Sequence, residues 1–205
     1  MIKIFDNAFR EGHRVTLVQI EGTILHEDTC DFVRDIKQTT CDDIVVEIRS
    51  TGGDIDAGYT IRAALLSTGR NITTICYGYV ASAATIIAQS ASLGRRLMSP
   101  RGLYLIHECN AQGEEMTVAD LEETTAKLRR HNECLAELYA SRSGRSERFY
   151  ATLMAENGGR GRWMDVDEAI EAGLVDCSWE TFIAEPPQPS IWTRLRQSIK
   201  IIFGK

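Results

Sequence analysis

The 205-residue chain lacks any uninterrupted apolar run that approaches the roughly 18 residues needed to span a membrane. Its first residues, MIKIFDNAFREGHR, also lack the apolar core of a secretory signal peptide. Basic residues are in the minority, 23 against 29 acidic ones, and the net charge is -6, whereas nucleic-acid-binding proteins usually carry a clustered basic surface. We therefore expect a cytoplasmic protein that binds no nucleic acid.

Cysteine and proline are both sparse. The six cysteines show no C-x-x-C spacing, which argues against a zinc site or a disulfide framework and favours buried free thiols. We expect neither a metal nor a cofactor. Three of the four prolines lie in EPPQPS, residues 185–190, which can continue neither a helix nor a sheet. The composition therefore predicts a single domain over residues 1–184 and a separate segment over residues 185–205.

The last residues, IWTRLRQSIKIIFGK, combine apolar side chains at helical spacing with positive charge. This pattern predicts a basic amphipathic helix. Such a helix can pack on its own subunit, dock on a protein partner or lie on a membrane, and the sequence leaves the three possibilities open. The residues that form the pattern are Trp192, Leu195, Ile199, Ile202 and Phe203, with Arg194, Arg196, Lys200 and Lys205.

Short β-rich runs alternate with helical patterns along the first 184 residues. RVTLVQI (14–20) and DDIVVEIRS (42–50) are typical of buried strands, and each precedes a helical pattern. A long helix is predicted from Val118 to about Tyr139, and Asp165 with Glu168 forms a capping box for a last helix that ends at Gly173. Alternating strands and helices predict an α/β fold of repeated right-handed β-α-β units.

Three polar features lie where predicted strands end. Ser82, in YGYVASAATIIA, lies between a strand and a helix, where it is either a helix cap or a nucleophile surrounded by backbone N–H groups. STGGDIDAG (50–58) is either an ordinary glycine turn or a loop that presents N–H groups to negative charge. His107 ends the strand GLYLIH, where it can face solvent, the core or an active site.

Taken together, these segments resemble a known family. IRSTGGDIDAGYTI, YGYVASAATIIA, GRRLMSPRGLYLIHE and DEAIEAGLVD are similar, in order and separation, to the signature segments of the ClpP serine peptidases of the ClpP/crotonase superfamily. The resemblance covers roughly residues 14–178. It implies the spiral of β-α-β units typical of that superfamily and hydrolysis of peptide bonds in a peptide or protein substrate.

The resemblance also implies roles for individual residues. Ser82 takes the place of the nucleophile, His107 that of the general base, and the N–H groups of Gly53 and Ala83 those of the oxyanion donors. It further implies a homo-oligomer, a ring that we expect to stack as two heptamers through the helix at residues 118–139. The acidic QGEEMT before that helix is expected to weaken the stacking.

The third catalytic place departs from the family pattern. Gly161 stands where the resemblance places an aspartate, and the stretch between Gly144 and Trp163 is a few residues longer than the family's. Glu156 and Asn157 are the candidates for the histidine's partner, and a vacant third place is the alternative. The sequence therefore predicts a serine endopeptidase of weak or conditional activity. A catalytically silent scaffold of the same fold is the main alternative, and a crotonase-like acyl-CoA enzyme is a remote one.

The beginning of the chain departs from the family as well. About 13 residues precede RVTLVQIEG, so we expect the N-terminal helix and axial loop with which typical members engage a ring ATPase to be missing. The resemblance therefore gives little support for an ATPase partner. This compact form is most similar to the ClpP-like proteins of prophages, so we expect a peptidase that is ATP-independent or conditionally regulated.

Overall fold

A computed structural model describes residues 1–10, 13–111 and 115–184. The predicted linker and amphipathic segment at residues 185–205 lie outside the described residues. The elements are β1 (Ile2–Arg10), β2 (His13–Ile24), α1 (Asp28–Gln38), β3 (Asp43–Gly53), α2 (Ile55–Ser67), β4 (Asn71–Ala81), α3 (Ala83–Ala88), β5 (Arg96–Met98), β6 (Leu103–Ile106), α4 (Val118–Ser143), α5 (Glu147–Gly159), β7 (Arg162–Met164), α6 (Val166–Glu171), β8 (Cys177–Ser178) and α7 (Trp179–Ala184).

The strands form one mixed sheet in the order β1-β2-β3-β4-β5-β8. β2, β3, β4 and β5 are mutually parallel, and α1 and α2 connect consecutive members of this set. β1 pairs antiparallel with β2. β6 pairs in parallel with the C-terminal end of β4 and antiparallel with β7. The predicted α/β class with repeated β-α-β units is confirmed.

The two central strands are apolar because both of their faces are covered. Residues 44–48 of β3 and 72–76 of β4 are buried without interruption. One face of the sheet packs on α1, α2 and α3, and the other packs on α7 through Phe182, which clusters with Val45 and Ile75. Continuous burial on both faces is typical of parallel strands between helical layers. The C-terminal ends of β3, β4 and β6 are thereby held side by side.

Several elements were not predicted from the sequence, among them β1 and α5. β1 lies on the edge of the sheet, where Lys3, Phe5 and Asp6 remain exposed and weaken the apolar alternation. α5 ends in Asn157, Gly158 and Gly159, which are residue types typical of loops and give no helical signal. The structure places a helix there from Ser146, whose side chain accepts a hydrogen bond from the N–H of Phe149, and this helix kinks at Glu156.

Two predicted helices are confirmed by their caps. α4 extends to Ser143 and ends at Gly144, which has a left-handed conformation. Asp165 and Glu168 form the predicted capping box of α6. Within residues 1–10, 13–111 and 115–184, no helix is long and apolar enough to cross a membrane.

Candidate active site

Ser82 lies at a strained turn between β4 and α3. Its φ of 56° and ψ of -132° belong to a region that residues with a side chain rarely adopt. Although Ser82 occupies the N-cap position of α3, its side chain makes no capping hydrogen bond. The side chain therefore does not serve as a helix cap. A serine displayed on a strained strand-to-helix turn is the geometry of a nucleophile.

Main-chain and side-chain hydrogen bonds hold this turn. The N–H of Ser82 donates to the carbonyl oxygen of Leu105 at 3.1 Å, which ties the turn to β6. The carbonyl oxygen of Ser82 accepts from the N–H of Thr85 at 2.9 Å and from Thr85 Oγ1 at 2.6 Å. Because the N–H and the carbonyl oxygen of Ser82 are both hydrogen-bonded, the surrounding structure stabilises the strained conformation.

The glycine turn between β3 and α2 packs directly against Ser82. A Cβ atom at Gly52 would lie 2.5 Å from Ser82 Cβ and 2.9 Å from the nitrogen of Ala83, and Gly52 has a φ of 96°. A Cβ atom at Gly53 would overlap the carbonyl oxygen of Ile24. Both positions therefore require glycine, and their backbone comes close to the first N–H groups of α3.

His107 follows β6, and its ring is fixed by the main chain. Nδ1 lies 2.6 Å from the carbonyl oxygen of Glu108. Because a carbonyl oxygen can only accept, Nδ1 carries the proton of the neutral imidazole and Nε2 is left as a proton acceptor. This is the tautomer that a general base requires.

Four of the predicted site residues line one cleft of about 330 Å³, namely Gly53, Ser82, Ala83 and His107. α4 forms one wall of this cleft. It is anchored there by Asn132 Oδ1, which accepts from the N–H of Cys109 at 2.7 Å, and by Tyr139, whose hydroxyl lies 2.6 Å from Thr85 Oγ1. The remaining lining residues are Asp54, Ile55, Ile86, Cys109, Asn110, Ala111, Thr124, Lys127, Leu128, His131, Leu135 and Tyr139.

Cys109 is the other potential nucleophile in the cleft. Burial raises the pKa of its thiol to about 11, so the thiol is protonated at neutral pH. Since the thiolate is the reactive form of cysteine, Cys109 is a poor nucleophile here. Ser82 is therefore the better candidate.

The two candidates for the third catalytic place do not line this cleft. Glu156 forms an ion pair with Arg162 at 3.3 Å and lines a separate cleft of about 500 Å³. Asn157 Nδ2 donates to the carbonyl oxygen of Gly161 at 2.7 Å. Neither side chain forms a hydrogen bond with His107 in the described part of the chain. Their assignment as partners of His107 stays a prediction.

Gly161 lies next to the histidine in the fold but has no room for a side chain. A Cβ atom there would overlap the carbonyl oxygen of Ile106, and Gly161 has a φ of 62°. Asp165 is occupied as the N-cap of α6, as the sequence predicted. The position that the family resemblance gives to an aspartate is therefore closed to any larger residue.

Sequence reasoning missed the contribution of Glu108. Its carbonyl oxygen binds His107, and its own N–H donates to the carbonyl oxygen of Gly159 at 3.0 Å. Main-chain partners leave no residue-type signal, so the sequence could not identify this one. The wall formed by α4 was missed as well, although Lys127 and His131 lie one helical turn apart on the predicted helix.

These features define an α/β protein that carries the side chains used by serine hydrolases at the ends of its strands. The Clp protease family model matches residues 5–181, and the chain belongs to that family.

Two curated relatives share this assignment. An ATP-dependent Clp protease proteolytic subunit from Lactococcus lactis subsp. cremoris is 30% identical over 140 residues, which cover 68% of each chain. A protein with the same description from Porphyromonas gingivalis is 27% identical over 157 residues, or 77% of this chain and 65% of the relative.

A solved structure shares the fold. ClpP1 from Listeria monocytogenes, carrying an asparagine-to-aspartate substitution, superposes with a TM-score of 0.68 at 25% identity. The superposition covers 79% of this chain and 90% of the Listeria chain.

Proposed function

We propose that this chain is a serine endopeptidase that hydrolyses peptide bonds through Ser82 and His107. The observation that carries the proposal is one cleft that holds a serine with a strained backbone and no capping hydrogen bond, together with a histidine in the proton-accepting tautomer. The glycine turn after β3 and the turn at Ser82 are in contact at this cleft. Membership of the Clp protease family supports the same conclusion.

The reaction follows from the roles that this geometry allows. Nε2 of His107 accepts the proton of Ser82 as the hydroxyl attacks the scissile carbonyl, and it later donates that proton to the leaving amine. The N–H groups of Gly53 and Ala83 stabilise the oxyanion, each by roughly 3 to 4 kcal/mol if they act like known oxyanion donors. Water then hydrolyses the acyl-enzyme by the same steps.

The carbonyl oxygen of Glu108 takes the third catalytic place in this proposal. Like a carboxylate, it fixes the tautomer and the orientation of the His107 ring. Unlike a carboxylate, it brings no negative charge to offset the imidazolium that forms, and the loss of an orienting carboxylate can cost about 10⁴ in kcat. We therefore expect slow turnover. We further propose that hydrolysis either requires no ATP or is regulated by a partner. The prophage type of the family stays a prediction.

We also propose that the active form is a homo-oligomer with enclosed sites, a ring that stacks as two heptamers. Support comes from the first half of α4, where Val118 is 73% exposed and Leu121 is 51% exposed in the single chain. Apolar side chains grouped on a helix that projects into solvent are typical of a contact surface. Light scattering at micromolar concentration tests this proposal, since a monomer would contradict it.

A catalytically silent scaffold is the second candidate function. It is favoured by Gly161, which replaces the aspartate of the family pattern and leaves no room to restore it. The two candidates differ in one measurement. Hydrolysis of fluorogenic peptides and of an unfolded protein without ATP is expected for the full chain and is expected to vanish in Ser82→Ala. Equal residual signals from both proteins would favour the scaffold.

A further inference from the structure

Two basic side chains of α4 face the cleft that holds Ser82. Lys127 and His131 lie four residues apart, so they share one face of the helix. Leu128 and Leu135 lie on the same wall and, together with Ile86 of α3, give the cleft an apolar surface beside these two residues. Ile86 and Leu135 are buried, at 0% and 5% exposure.

Few negative charges oppose this pair inside the cleft. Asp54 is the single carboxylate among the described lining residues, and its Oδ1 already accepts from the N–H of Ala57 at 2.7 Å. Burial raises the pKa of the Cys109 thiol to about 11 and that of the Tyr139 hydroxyl well above its usual range, so both are neutral. The titratable and charged groups that line the cleft are Asp54, His107, Cys109, Lys127, His131 and Tyr139.

Neither basic side chain is held by a buried partner among the described residues. His131 forms no hydrogen bond or ion pair with any described residue. Lys127 pairs with Glu123 at 2.6 Å, but these side chains are 67% and 68% exposed. Such exposed pairs are weak, so a substrate carboxylate can compete for the ammonium group.

We propose that Lys127 and His131 bind an acidic side chain of the substrate. The preferred substrates are then peptides that carry Asp or Glu within two positions of a large apolar residue, which the neighbouring apolar wall accommodates. This inference rests on the proposed peptidase function, because it names the substrate class of the same cleft.

Binding to the full-length Ser82→Ala protein tests the inference without requiring turnover. The probes are fluorescent peptides with a central leucine in which Glu or Gln occupies each of the two positions on either side. At pH 6 we expect the Glu form to bind about three to ten times more tightly at one of these positions. Fluorescence anisotropy measures both affinities.

Four further single variants and one double variant in the same background assign the effect. Lys127→Gln and His131→Gln should each reduce the preference for Glu, and together they should abolish it. Glu123→Gln should increase the preference, because it removes the competitor of Lys127. Arg129→Gln removes a positive charge from an exposed position of α4 outside the cleft, so it should leave the preference unchanged.

The outcomes separate this inference from the proposed function. Equal affinity for the Glu and Gln peptides, or binding of neither, overturns the acidic preference. Hydrolysis by the wild-type chain without such a preference overturns it as well and leaves the peptidase intact. A preference for Glu in binding without any hydrolysis would instead contradict the peptidase and leave the cationic site standing.

Discussion

The turn at Ser82 and the segment at residues 156–161 both lie close to the strand that carries His107, but they use their polar groups differently. Ser82 bonds its main chain to its neighbours and leaves its hydroxyl in the cleft. In the second segment Asn157 binds Gly161, while Glu156 binds Arg162 and the N–H of Gly161. The first region presents a reactive group, whereas the second supports the main chain beside His107.

The largest effect is expected at the reactive group. Ser82→Ala should reduce peptide hydrolysis by at least about 10³, because the nucleophile is lost while the oxyanion donors remain. Thermal unfolding should be nearly unchanged, since the hydroxyl caps no helix. Ser141→Ala is a matched control on the exposed surface of α4. Wild-type turnover in Ser82→Ala would show that Ser82 is not the nucleophile, and the turn at Ser82 would then no longer differ in function from the segment at residues 156–161.

The supporting segment should respond to Gly161→Asp with a loss of structure. A side chain at this position must displace the carbonyl group of Ile106, and the positive φ of residue 161 strains any residue other than glycine. We expect the free energy of unfolding to fall by about 3 kcal/mol or more. Denaturant unfolding measures this loss. Higher peptidase activity in this variant would contradict the account, because it would show that an aspartate fits and that the third place was empty.

The pH dependence of hydrolysis tests the tautomer of His107. Because a protonated imidazole cannot accept the proton of Ser82, kcat/KM should fall as the pH is lowered from about 8 to 5. The bond from Nδ1 to the carbonyl oxygen of Glu108 remains possible in both forms, so the fold should be retained. A flat profile over this range would count against His107 as the base.

Asn157 and Glu156 should behave as supports and not as catalytic partners. Asn157→Ala removes the bond to Gly161 and leaves a residue with φ of 54° that alanine tolerates less well, so we expect a loss of about 1 to 2 kcal/mol in stability. Glu156→Ala breaks a half-exposed ion pair and should change stability by less than about 1 kcal/mol. A fall in kcat by orders of magnitude at unchanged stability in either variant would identify a true partner of His107.

The smallest expected effect lies outside both regions, at Glu47 in β3, which is 2% exposed. Burial raises the pKa of its carboxyl, although a hydrogen bond from Gln19 opposes the shift. Because the pKa of Glu47 is raised in the folded state, its contribution to stability is fully present below the ordinary pKa of glutamate, near 4.3. That contribution is lost as the pH rises through the folded-state pKa.

Glu47→Gln should therefore raise the melting temperature at pH 8 and leave it nearly unchanged below about pH 4. The exposed Glu122→Gln variant serves as the control, because Glu122 does not contribute to the pKa shift of Glu47. A gain that is equal at both pH values would show that the carboxyl charge is not its cause.

The sequence predicted the parts of the fold that depend on local patterns. The buried runs of β3 and β4, the capping box of α6 and the glycine at Gly173 after that helix are each encoded within a few neighbouring residues. β1 was missed because an edge strand keeps exposed polar residues. α5 was missed because its kinked last turn, rich in glycine, is typical of a loop.

The candidate site divides in the same way. Ser82 and the Gly52–Gly53 turn could be identified because each position demands a particular residue type. The partner of His107 could not, because the carbonyl of Glu108 belongs to the main chain and any residue could supply it. The closed environment of Gly161 depends on contact with Ile106, which only the folded chain creates.

The central claim, that Ser82 is activated by His107 without a carboxylate partner, is tested most directly by reaction of the full chain with a fluorophosphonate probe. Mass spectrometry of the labelled protein should find the phosphonyl group on Ser82 alone. The labelling rate should fall by orders of magnitude in His107→Gln and little in Glu156→Ala. No labelling of Ser82, or an equal rate in His107→Gln, would contradict the account and favour a silent scaffold.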